Sequence, residues 1–156
     1  MMRKFGLYEE SVILFFIVVP IMATIAETTF YGSLNTLGVM LKWFTFSGVG
    51  LRLFSAGLNQ SIRPSFTATE IFKADEKSFP LVREVGFSNI CLGVLGILSL
   101  FLVEFRLAAA LTGGLYFGLA GFLRFLYKRN KNEIFTTISN FFICLVLLAL
   151  ITVNLL

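Results

Sequence analysis

Five long apolar runs alternate with short polar breaks along this chain, at about residues 8–27, 38–58, 85–105, 107–127 and 134–155. Each is close to the ~20 residues a helix needs to cross ~30 Å of hydrocarbon. In lipid every backbone N–H and C=O must be satisfied within the segment, which selects helices over open strands. The pattern predicts an all-α integral membrane helical bundle of five transmembrane helices. It forms one transmembrane domain over residues 1–156, a four-helix core to which the N-terminal helix is added. Only "VEFRL" separates the third and fourth runs, which predicts a tight antiparallel hairpin. Pro20, inside the first run, predicts a kink. Glu9 and Glu10 precede that run and argue for a retained helix over a cleaved signal segment.

The one sizeable break, about residues 60–82, contains "RPSFTATEIFKADEKSFP" and begins and ends near a proline. Thr69 with Glu70 suggests a capped turn. Phe66, Ile71 and Phe72 would anchor a short helix on the headgroups, with a plain connecting loop as the alternative.

Composition agrees with the pattern and narrows the chemistry. With 57% hydrophobic and 14% charged residues, the chain lacks the polar skin a soluble domain of 156 residues requires. There is no histidine, so imidazole metal ligation and histidine acid–base catalysis are excluded. Cys91 and Cys144 lie inside apolar runs and form no paired motif, so they read as small apolar spacers. Nothing calls for a cofactor or a metal.

The net charge of +4 reports topology, not affinity for nucleic acid. Arg3, Lys4, Arg63, Lys73, Lys77, Arg83, Lys128, Arg129 and Lys131 fall at one end of the bundle, with Arg124 just inside it. Lys42 and Arg106 fall at the other. The positive-inside rule places the N-terminus in the cytoplasm, the C-terminus outside and the 60–82 loop in the cytoplasm, with the cell membrane as the expected location.

One run carries polar groups in a regular array. At 3.6 residues per turn, Arg52, Ser55, Ala56, Asn59, Gln60 and Arg63 share one face of the second helix. An arginine near the middle of a span costs about 2.5–3.5 kcal/mol on insertion scales, so it should face protein or water. The third helix offers two lines of partners, Glu84–Ser88–Cys91 and Gly86–Asn89–Gly93–Gly96, so an Arg52–Glu84 pair or an Arg52–Asn89 bond is geometrically reasonable. The fifth helix adds Thr136, Thr137, Ser139 and Asn140 at the same end.

Two readings follow. Arg52, Glu84, Asn59 and Asn89 form a structural clasp between helices, or Arg52, Ser55, Asn59, Gln60, Glu84, Ser88, Asn89 and Asn140 line a cytoplasm-facing cavity for a headgroup, a small anion or a polar-tipped lipid. On the fourth helix, Ala110, Gly114, Gly118 and Gly121 form a small-residue face suited to close packing within the chain, or to a homodimer seam. Glu27, facing Lys42 and Trp43, reads as decoration of the outer interface.

The segments "RLFSAGLNQ", "PLVREVGFSNICLGVLGILSLF" and "RLAAALTGGLYFGLAG" resemble the small DoxX-like membrane proteins and related uncharacterised families. The resemblance covers about residues 45–155 and implies a compact four-helix bundle. Arg52, Ala56 and Asn59 are also similar in order to a motif of the membrane-bound eicosanoid and glutathione metabolism enzymes. Ile62 stands where those enzymes have an acidic residue, and the following proline falls too early, so their glutathione site is not implied.

The expected function is therefore binding of a membrane lipid or other amphiphile, or service as a subunit in a homo-oligomer or larger membrane assembly. The alternatives are an enzyme acting on a lipophilic substrate and an oligomeric transporter or channel.

Overall fold

Five helices in the computed structural model are long and apolar enough to cross a membrane: α1 (Tyr8–Tyr31), α2 (Thr36–Ile62), α3 (Glu76–Leu98), α4 (Glu104–Leu126) and α5 (Ile134–Leu155). The structure describes residues 6–71, 75–126 and 131–156, and no strand occurs among them. This is an all-α helical bundle and a multi-pass membrane protein. Large side chains such as Leu115, Leu119, Phe122, Ile138 and Leu145 point outward along the spans, as lipid-facing positions do.

Local chemistry sets the ends of the helices. Gly32 closes α1 with φ 61, a left-handed conformation that a glycine adopts without a Cβ penalty. Asn35 opens α2, its side-chain oxygen accepting the Gly38 N–H at 2.9 Å. α3 differs most from the sequence pattern, which started it near Val85 and ended it near Phe105. Its α-helical part is Phe79–Leu98, with Pro80 in the first turn. A proline there forfeits an N–H that has no partner anyway, so Pro80 starts the helix instead of closing the loop.

The region around Pro20 is a widened turn. Leu14–Val18 is π-helical, and the Val19 N–H reaches back to the Leu14 carbonyl. Continued by one residue, that pattern needs an N–H from Pro20 for the Phe15 carbonyl, and proline has none. The Ser47 hydroxyl, fully buried in a second π-helical stretch (Thr45–Leu51), donates to Phe15 O instead, at 2.6 Å. The kink expected of the proline is thus taken up by a π turn bonded across to α2. Replacing Ser47 by alanine strands a buried carbonyl and should destabilise the protein by about 1–3 kcal/mol, read as a lower melting temperature in detergent.

Val12 and Phe16 of α1 join Leu41, Phe44, Val49 and Leu53 of α2, Ala110 and Phe117 of α4 and Ile143, Leu147, Leu150 and Ile151 of α5 in a single core. Phe16 meets Phe117 edge-to-face, with centroids 5.2 Å apart. α3 packs differently, laying glycine against the backbone of α2. A Cβ added at Gly57 would stand 2.6 Å from Gly86 O, and one at Gly93 2.5 Å from Phe54 N.

The small-residue face of α4 is occupied within the chain. Gly114 lies against Leu147, Gly118 against Cys144, and Gly121 against Asn140 and Phe141. It serves the α4–α5 contact.

The polar connection after α2 contains one π-helical turn, Phe66–Ile71. Thr69 donates its hydroxyl to Ser65 O at 2.7 Å. Thr67 and Ala68 are buried, so this turn tucks toward the bundle. The side chains of Phe66 and Ile71, and Phe72 as a whole, the three expected interfacial anchors, lie outside what the structure describes.

Candidate functional site

Beyond the two π-helical stretches, at the end where α2 finishes and α5 begins, the bundle encloses a cavity of about 430 Å³. The volume falls within the range of small-molecule sites. Arg52, Ser55, Ala56, Asn59, Gln60 and Arg63 all line it, so α2 presents the whole stripe that its sequence spacing implies. Regular α-helix over Arg52–Ile62 keeps that phase.

Arg52 is 8% exposed, and its Nε makes no hydrogen bond within the protein. Its guanidinium lies over the Tyr8 ring, 4.9 Å from the centroid. Such a contact is worth about 0.5–2 kcal/mol, less than the several kcal/mol that desolvating a cation costs. Ser11 donates to Tyr8 O at 2.7 Å, and Ser55 to Arg52 O at 3.0 Å, which turns both hydroxyls toward their own helices.

Glu84 and Ser88 do not belong to the cavity, and the expected Arg52–Glu84 pair does not form. Both residues are exposed, and Ser88 donates to the Glu84 carbonyl at 3.2 Å. The face of α3 turned toward α2 is the other line, Val82, Gly86, Asn89, Gly93 and Gly96, all buried. Glycine permits the close α2–α3 approach only on that line, and it rotates Glu84 away. Asn89 is brought in, 2% exposed, and donates to Gln60 Oε1 at 2.7 Å, while its own Oδ1 finds no partner. The polar bond across this seam joins Gln60 to Asn89, and of the four residues of the expected clasp only Asn89 takes part in it.

Asn140 of α5 also lines the cavity. It is 7% exposed, and no hydrogen bond engages its side chain among the described residues. Thr136 lies a turn earlier on the same wall.

Sequence reading alone did not assign several of the lining residues. Tyr8, Ser11 and Phe15 come from α1, Thr67 from the turn after α2, and Tyr116, Phe117, Ala120 and Arg124 from α4. The available signal was their position: Tyr8 and Arg124 both sit at the cation-rich end. Three arginines line the cavity, with no carboxylate, histidine, cysteine or lysine among the lining residues. Among the described residues no group of three metal-ligating side chains comes together.

The opposite end of the bundle is closed. Leu41, Phe44, Ala110, Leu147, Leu150 and Ile151 fill it. Beyond them Glu27 accepts the Trp43 indole N–H at 2.7 Å and pairs with Lys42. The cavity is thus a blind pocket.

Residues 10–156 match the model of a family of unknown function, DUF6790, and the chain belongs to that family. No curated protein and no solved structure matches it.

Proposed function

We propose that this DUF6790 protein binds an anionic amphiphile, its acidic head on Arg52 at the base of the pocket and its apolar part toward the bilayer. The observation that carries this reading is Arg52, a nine-tenths-buried cation without a carboxylate partner among the described residues, in a cavity whose described lining includes no acid. Such a lining is attractive to phosphate or carboxylate and repels cations. Phe15, Leu53 and Phe117 supply apolar wall.

Catalysis is the weaker reading, because the lining lacks the carboxylate, imidazole, thiol and amine groups that most often attack or carry protons. Conduction is weaker still, because the far half of the bundle is packed with apolar side chains.

Native mass spectrometry from mild detergent tests the proposal. The protein should retain a negatively charged phospholipid in preference to phosphatidylcholine, and soluble phosphate or glycerol phosphate should not displace it at millimolar concentration. Displacement by the soluble anion would reassign the pocket to a free solute. Equal retention of phosphatidylcholine, or of no lipid at all, would overturn anion binding.

The same proposal sets the pocket toward the cytoplasm, on the distribution of lysine and arginine. In a variant carrying Cys91→Ser and Cys144→Ser, a cysteine placed at Ser78 should label only from the cytoplasmic side, and one at Ser33 only from outside. The reverse labelling would invert the assignment.

A further inference from the structure

Arginines alone would suffice for a bare phosphate, because a phosphate at neutral pH uses hydrogen-bond donors. This pocket holds more than donors. Four carboxamides line it, Asn59, Gln60, Asn89 and Asn140, and each brings an acceptor oxygen that a phosphate cannot use. Two of them leave capacity unused within the protein at nine-tenths burial. Asn89 Oδ1 is buried without a partner, and no hydrogen bond reaches the cavity-lining Asn140 side chain among the described residues. A buried carboxamide oxygen such as Asn89 Oδ1 is ordinarily satisfied.

The complementary chemistry is a hydroxyl, which donates to a carboxamide oxygen and accepts from its NH₂. A headgroup ammonium would also donate, but it would sit beside the buried Arg52, which has no carboxylate partner among the described residues.

We propose that the ligand is a hydroxyl-bearing phosphodiester, of the phosphoglycerol headgroup class, with its phosphate on Arg52 and its hydroxyls on Asn140 and Asn89. This deepens the proposed anion site and rests on it.

Phosphatidylmethanol provides the discriminating probe, since it carries the same phosphodiester charge and lacks the hydroxyls. The wild-type protein in mild detergent should retain phosphatidylglycerol about five- to ten-fold better than phosphatidylmethanol of the same acyl chains, the range that one or two net hydrogen bonds supply. Phosphatidylethanolamine should bind less well than either.

Asn140→Ala should bring phosphatidylglycerol down to the level of phosphatidylmethanol and leave the latter unchanged. Its melting temperature should stay at that of the wild type, because the carboxamide bonds to nothing in the protein. Equal wild-type retention of the two lipids would overturn the hydroxyl assignment while leaving the anion site standing. Failure of both to bind would remove the anion site itself. Selectivity that persists in a folded Asn140→Ala protein and in Asn89→Leu would show that the carboxamides do not read the hydroxyls.

Discussion

Replacing Arg52 by glutamine is expected to reduce retention of anionic phospholipid by at least about ten-fold, with little change in the melting temperature of the lipid-free protein. The first expectation follows from the size of a charge-assisted hydrogen bond, about 1.5–3 kcal/mol, which corresponds to roughly 10- to 150-fold in affinity. The second follows from what Arg52 touches. Its contact with the Tyr8 ring is lost, but so is the cost of holding a cation 8% exposed with an unpaired Nε. The desolvation cost removed is the larger of the two, and the glutamine amide left buried without partners takes back part of it.

Added phosphatidylglycerol should raise the melting temperature of the wild type, since binding to the folded state alone stabilises it by mass action, and should not raise that of the variant. A structural arginine behaves the opposite way. If Arg52→Gln melts many degrees lower and the folded fraction still retains anionic lipid, the pocket is not an anion site.

The α2–α3 seam carries the second large effect. Gly93→Ala should destabilise the protein by about 2–3 kcal/mol, lowering its melting temperature by roughly 5–10 °C. The added methyl would stand 2.5 Å from Phe54 N and 2.7 Å from Phe54 Cα, backbone atoms that cannot rotate aside. The gain of up to ~1 kcal/mol in helix propensity does not offset this overlap.

Gly114→Ala is the control. Its new Cβ would meet Leu147 Cβ at 3.5 Å, ordinary contact, so the propensity gain should leave that variant unchanged or more stable. Equal melting temperatures for the two variants would mean that α2 and α3 are not in backbone contact. Separation of α2 from α3 should also weaken lipid retention, since Gln60 and Asn89 meet across the same seam at 2.7 Å.

Much of this protein was legible in one dimension. Run length set the helix count, and the spacing from Arg52 to Arg63 placed six residues on one face, all of which line the cavity. Both follow from constants of the α-helix, its rise and its 3.6-residue turn, which need no neighbour. The ends of α3 were less legible, because Pro80 is compatible with ending a loop and with opening a helix, and the choice depends on what the first turn packs against. The π turn at Leu14–Val18 was legible only as the proline that follows it; the hydroxyl that completes it comes from Ser47, distant in sequence.

For the cavity, periodicity sorted α3 into two lines of residues but was silent on which line turns inward. That was decided by shape. Only the Gly86–Gly93–Gly96 line lets α3 approach the backbone of α2, and the approach carries Asn89 in and Glu84 out. The loss of Glu84 leaves Arg52 without that carboxylate, and the proposed anion site rests on this. Tyr8, Tyr116, Arg124 and Asn140 reach the same cavity from three other helices. A helix's own sequence determines its faces; its rotation against its neighbours is a property of the packed bundle.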